Sequence, residues 1–299
     1  MFQHQVSIEK STNVRVLFIQ KFNAILSRVA PRLATRLAER IFVTPIPARQ
    51  PPREIAWAEG AEKTTIPSPL GRIPVWVWGD GPATVLLVHG WSGRGLQLGA
   101  FVQPLVAHGY RVITYDAPGH GEAPGRTSSM PAFATSLGAI GRRFGPVSAI
   151  IAHSLGSTAA VYALARHELS ADRMVTIAPS ARLHAVRERF GEMTGFPPSV
   201  VDLMRDAFED RLGFDWDASE PLRIAPRLSM PMMVIHDSDD RFIPHSEGAE
   251  LASAWPEGRL ETTSGLGHHR ILRDPEVVNS TVAFISEPIA SKYLERRAS

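Results

Sequence analysis

The 299 residues are 44% hydrophobic and 21% charged, which provides apolar mass for a sizeable core and excludes a globally disordered chain. There is no cysteine, so disulfide scaffolding, thiolate catalysis and cysteine-based zinc sites are excluded. The net charge of +2 makes no case for nucleic acid, and nine Lys/Arg against four Asp/Glu in residues 1–60 concentrate the positive charge in an N-terminal arm.

Taken in chain order, residues 14–42 read as helix. Val14, Phe18, Phe22, Ile25, Val29, Leu33, Leu37 and Ile41 recur at three- and four-residue steps and stack on one face, while Pro31 kinks the stretch or starts a second helix. Arg28, Arg32, Arg36 and Arg40 form a basic ridge at four-residue steps. The ridge has two readings. One is an interfacial helix giving weak contact with an anionic membrane surface. The other, which is favoured, is a helix packed by its apolar face on the body or another subunit, with the arginines solvated. The early apolar run Val14 to Ile19 is closed by Lys21 and Arg28, too short to span a membrane and without a signal cleavage pattern, so cytoplasmic residence is expected.

The Pro-rich run from Thr44 to Pro52 reads as an extended linker ending the arm at about residue 60. From there to 299 the pattern alternates. Glu62–Pro67 and Arg72–Trp78 look like strands joined by a turn, Arg259–Thr263 is a last strand-like segment, and between them come short apolar runs at Thr84–Val88, Arg111–Tyr115, Val147–Ala152, Arg173–Ala178 and Met232–His236. Helical stretches near 97–108, 129–144, 155–168 and 245–254 separate them. Such runs suit strands buried on both faces, and the alternation predicts a doubly wound, mostly parallel α/β sheet. Residues 181–228 interrupt the rhythm and read as a small helical lid. Within it Phe190, Phe208, Phe214 and Trp216 either line an acyl pocket or form the lid's own core.

The pattern small-x-Ser-x-Gly occurs twice, around Ser136 and around Ser154. Only Ser154 follows an apolar strand and precedes a helix, where a sharp turn exposes the hydroxyl; Ser136 lies inside a helical pattern and reads as structural. The same turn puts the Leu155 N–H at a helix start, beside Ser154, where it can bind an oxyanion. Gly90 in Val88-His89-Gly90-Trp91 allows the Trp91 N–H to supply a second donor. Trp91 and His153 are also candidate substrate contacts.

These segments resemble the α/β-hydrolase family of serine esterases and lipases. His89-Gly90-Trp91 matches the family's His-Gly-x, Asp116-Ala117-Pro118-Gly119-His120-Gly121 its Asp-x-x-Gly-x-Gly, and Ala152 to Gly156 its nucleophile elbow, with Ala152 where Gly is common. The resemblance spans about residues 62–285. It implies an acid in the loop Asp237 to Pro244, where an Asp four residues before a Pro selects Asp240, with Asp239 as competitor. It implies a base at Gly267-His268, with His269 reached by a one-residue shift. The expected activity is carboxylic-ester hydrolysis through an acyl-enzyme on Ser154, without metal or organic cofactor, on a small-molecule ester. Thioester hydrolysis or acyl transfer would use the same residues, and a non-catalytic binding module is the reading from another class.

Overall fold

The computed structural model describes residues 2–288, with side chains from Arg15 onward; the side chain of Val14 and the end of the C-terminal segment lie outside the described residues. The strands are β1 (Glu62–Ser68), β2 (Gly71–Trp78), β3 (Ala83–Val88), β4 (Tyr110–Tyr115), β5 (Ala149–His153), β6 (Met174–Ile177), β7 (Met232–Asp237) and β8 (Gly258–Thr263). The helices are α1 (Phe2–Val29), α2 (Pro31–Phe42), α3 (Pro52–Trp57), α4 (Val102–Ala107), α5 (Met130–Phe144), α6 (Leu155–Ala165), α7 (Leu183–Thr194), α8 (Pro198–Leu212), α9 (Pro221–Ile224), α10 (His245–Ala254), α11 (Gly267–Arg270) and α12 (Pro275–Ser286).

The chain divides into two compact units, residues up to Thr44 together with Leu183–Asp217, and Pro45–Arg182 together with the rest. The second unit holds one eight-stranded sheet of order β1-β2-β4-β3-β5-β6-β7-β8. β2 runs antiparallel to both β1 and β4, and the remaining neighbours are parallel. The α/β architecture expected from the alternation is therefore present. Central strands β5, β6 and β7 are buried at every position, whereas the edge strands β1 and β8 alternate with exposed Glu, Lys and Arg. That contrast is what sheet position dictates: only a strand covered on both faces is uniformly apolar.

Pleating sorts the core into two layers. Val85, Leu87, Ile151, Val175 and Ile235 pack with Phe101 and Leu105 near α4 and with Val278 and Phe284 of α12. Leu86, Ile113 and Ile150 point to the opposite face and are fully buried. Helix starts are set locally: Ser129 accepts from the Ala132 N–H ahead of α5, and Asp274 accepts from Glu276 and Val277 ahead of α12. Because β3, β5, β7 and β8 are parallel, the segments following Val88, His153, Asp237 and Thr263 all leave the same edge of the sheet.

The first unit corrects the sequence reading twice. The arm and the insertion, expected as separate segments with boundaries near residues 60 and 181–228, are one body. Ala34 and Ala38 give α2 a flat, small-residue seam that packs with Phe196, Val200, Val201 and Met204. Secondly, the packing face of α1 is the polar one. Asn23 donates to the Thr194 carbonyl (2.8 Å), Gln20 to that of Glu192 (2.9 Å), and Asn23 and Ser27 are buried, while Phe18, Phe22, Ile25, Val29, Leu33 and Ile41 stay exposed. Hydrogen-bond partners at the end of α7 decide the orientation of α1, and periodicity of apolar residues does not report them.

Candidate active site

β5 delivers the chain into a turn at Ser154, whose backbone is left-handed (φ 52°, ψ −125°), and α6 begins at the next residue. A positive φ on serine costs on the order of 1–3 kcal/mol and is kept where the surroundings enforce it. Two contacts enforce it here. The Ser154 N–H donates to the Ile177 carbonyl of β6 (3.0 Å), and Gly156 lies so close to the loop after β3 that a Cβ there would collide with the His89 carbonyl oxygen. Gly90 meets the elbow from the other side: its added Cβ would fall 2.9 Å from Ser154 Cβ and 3.1 Å from His153 Nδ1. Ser136 is buried in α5, donating to the Ala132 carbonyl at 3.0 Å, as a structural serine does.

His268, in the single turn of α11, has Nε2 3.1 Å from Ser154 Oγ and Nδ1 2.7 Å from Asp240 Oδ2. An ionised carboxylate only accepts, so Nδ1 carries the proton and Nε2 is left as acceptor for the serine hydroxyl. Asp240 Oδ1 accepts from the Phe242 (2.8 Å) and Ile243 (3.0 Å) N–H groups. Burial opposes its charge, but hydrogen bonds from His236 and His268, with the His268 charge and the Ile243 amide, hold its carboxyl well below the ordinary range. The competing residues are placed differently. Asp239 accepts from the Gly265 N–H (2.7 Å), and the His269 ring lies beside those of His268 and Phe242.

The buried Asp237 fastens the two loops together: Oδ2 accepts from Thr263 Oγ1 (2.7 Å) and the Leu266 N–H (3.0 Å), and Oδ1 from the Asp239 N–H (3.0 Å). His236, which the sequence reading passed over, is fully buried with Nε2 3.1 Å from the Ile243 carbonyl and 3.5 Å from Asp240 Oδ2. Its signal was available as a histidine at the end of a solidly apolar strand. His153 was expected to meet substrate. Instead it is buried, its ring against that of His268 (4.7 Å), and its Nε2–H donates to the His268 carbonyl (3.0 Å). Burial, then the neighbouring His268 and His269, push its pKa well down and keep it neutral.

The loop after β3 is a turn closed by the Gly93 N–H donating to the Gly90 carbonyl (3.1 Å), with Ser92 left-handed at φ 56°. Two histidines hold it. His89 Nδ1–H donates to the Gly90 carbonyl (2.8 Å) while its Nε2 accepts from the Ala117 N–H (3.0 Å); His120 Nε2 accepts from the Ser92 N–H (3.0 Å). Burial pulls His120 down to about 4 and, with His120 as a second cause, His89 down to about 3, so both stay neutral supports. Asp116 clamps the same region from below, accepting from Gly95 (2.8 Å) and Glu122 (2.7 Å) N–H groups. Leu155, as the first residue of α6, has no intrahelical acceptor for its N–H. The half-buried Trp91 ring stands edge-on to His120 at 5.2 Å.

Beside His268 and Asp240 lies a cavity of about 470 Å³, lined also by Phe242, Arg241 and Arg270. The four aromatic residues of the insertion are elsewhere engaged. Phe190 (5.1 Å), Phe208 (6.3 Å) and Trp216 (5.9 Å) close on Phe42, and Phe214 closes on Phe208 and Trp216 (6.0 and 5.5 Å). Within the first unit these rings pack on one another and on Phe42 of α2. Among the described residues no group of three His, Asp or Glu is arranged to hold a metal ion, and no helix is long and apolar enough to cross a membrane.

A family model described as alpha/beta hydrolase fold matches residues 83–211, a stretch that includes Ser154 and stops before Asp240 and His268. No curated protein matches the chain. Solved structures similar to it include an esterase from Pyrococcus furiosus (17% identity, TM-score 0.62, covering 83% of this chain and 98% of that one). A thermophilic esterase from Thermogutta terrifontis matches at 20% identity and TM-score 0.57, over 75% and 98% of the two chains. A bromoperoxidase from Bacillus anthracis matches at 16% and 0.56, over 75% and 99%. With its strand order, its elbow and this matched family model, the chain has the α/β-hydrolase fold.

Proposed function

We propose that the protein is a serine hydrolase that cleaves carboxylic esters. The observation that carries the reading is the relay of Ser154 Oγ, His268 and Asp240 at 3.1 and 2.7 Å, built on a left-handed serine. A bromoperoxidase shares the fold at comparable similarity, so the reading rests on the site and not on the fold.

Serine at its ordinary pKa is a weak nucleophile and needs a base within reach. His268 Nε2 takes the hydroxyl proton as Oγ attacks the ester carbonyl carbon, and Asp240 stabilises the imidazolium through Nδ1–H. The Leu155 N–H at the start of α6 and the Trp91 N–H in the braced turn receive the oxyanion, each donor contributing on the order of 3 kcal/mol. Collapse breaks the carbon–alkoxy bond, and His268 returns its proton to the departing alcohol. Water, deprotonated by His268, then attacks the acyl-enzyme; collapse releases the acid and Ser154 recovers the proton.

Thioester hydrolysis and acyl transfer differ in leaving group or acceptor and use the same steps. A panel of p-nitrophenyl esters of increasing acyl length, run beside acyl-CoA substrates, separates them. Ester turnover with an initial burst stoichiometric with enzyme, abolished in Ser154→Ala, supports the proposal. Preference for acyl-CoA assigns a thioesterase, and turnover of neither substrate in the wild type favours a non-catalytic binding module.

A further inference from the structure

Among the described residues, nine of the seventeen exposed large hydrophobic residues lie between Val16 and Ile41. At 100° per residue Phe18, Phe22, Ile25 and Val29 fall on one side of α1, opposite the buried Asn23 and Ser27, so they form a continuous outward stripe. Phe18 is 72% and Val29 74% exposed. Scattered apolar residues on a surface need no explanation, but a contiguous stripe marks an interaction site. On α2 the outward positions, opposite the buried Ala34 and Ala38, are Arg32, Arg36 and Arg40, with the exposed Leu33 beside them. Lys21 and Arg28 flank the α1 stripe, and no ion pair among the described residues engages any of these five cations.

We propose that this face of α1–α2 docks on a membrane leaflet carrying anionic lipid, with the stripe in the acyl boundary and the basic residues at the headgroups. The charge pattern selects this occupant. Residues 15–42 hold six basic residues and one acidic one, Glu39, which is already paired with Arg211. A second copy of the same face would bring its cations to the seam with no carboxylates to meet them, whereas anionic headgroups neutralise them. Long arginine stems reach the headgroups while the aromatic stripe is buried, the arrangement of an interfacial helix.

The test is vesicle flotation of the full chain on phosphatidylcholine alone and on phosphatidylcholine with about 30% phosphatidylglycerol, which supplies a negative surface potential. Flotation with the anionic vesicles, at least about tenfold weaker on neutral ones and falling with salt, is expected. Arg32→Gln/Arg36→Gln/Arg40→Gln should lose about fivefold per charge removed on anionic vesicles only. Phe18→Ser/Phe22→Ser/Val29→Ser should float with neither. Both variants change exposed side chains, so an unchanged melting temperature certifies the fold. Equal flotation on both vesicle types, insensitive to the arginine substitutions, overturns the proposal. So does absence of flotation, and a dimer in sedimentation velocity that the serine variant dissolves would then assign the stripe to a second copy.

Discussion

Asp240→Asn isolates the electrostatic part of the relay. The amide oxygen can still accept from the Phe242 and Ile243 N–H groups that now bind Oδ1, so the loop keeps its shape. What changes is the partner of His268: the amide NH2 faces Nδ1, forces the proton onto Nε2, and leaves Ser154 without a base. At 2.7 Å, a unit charge on Asp240 and one developing on the imidazole attract by about 6 kcal/mol at an effective dielectric of 20, or about 10⁴-fold in rate. The assay is the rate of fluorophosphonate labelling, which requires no knowledge of the natural substrate. Asp239→Asn is the control, since that carboxylate meets the Gly265 N–H and not the imidazole. A loss under tenfold in Asp240→Asn, or an equal loss in Asp239→Asn, refutes the assignment of the acid.

Acid should destabilise the fold through its buried imidazoles. His120 takes a proton at about pH 4 when folded and about 6.5 when unfolded, so its contribution is complete above 6.5 and is lost as pH falls towards 4, by about 2.5 kcal/mol at pH 4.5. Urea midpoints at pH 7 and 4.5 should show this drop reduced in His120→Asn, which can still accept from Ser92; equal drops contradict it. In Gly90→Ala the new methyl would sit 2.9 Å from Ser154 Cβ and must push the turn carrying Trp91 outward, slowing labelling about a hundredfold. Unchanged labelling would show that this turn does not serve the reaction. Arg94 donates to Glu54 of α3 and to the Ala48 carbonyl (3.0 Å), and both charged side chains are buried. Arg94→Ala strands the carboxylate and should cost about 3–5 kcal/mol in urea denaturation, largely recovered in Arg94→Met/Glu54→Leu.

The eight-stranded sheet was legible because its physics is local and periodic. Buried parallel strands must be solidly apolar, and β5, β6 and β7 begin and end within about two residues of the apolar runs. The site was legible where a motif names a backbone shape: the strand–serine–helix context separated Ser154 from Ser136, and the structure brings His268 and Asp240 to Ser154. What stayed hidden depends on partners distant in sequence. Nothing near His153 announces that it will hold the carbonyl of a residue 115 positions away. Glu54 and Arg94 lie in unremarkable segments and become a buried pair only when α3 meets the loop after β3. The arm misled because its strongest period belongs to the face left exposed, while alanines and amides, weak signals individually, do the packing.

Site mapping of a fluorophosphonate adduct by mass spectrometry decides whether Ser154 is the nucleophile. One adduct per chain is expected, on the peptide carrying Ser154, formed at least about 10³-fold more slowly in His268→Ala. An unreactive wild type, or a label on Ser136 or any other residue, would contradict it.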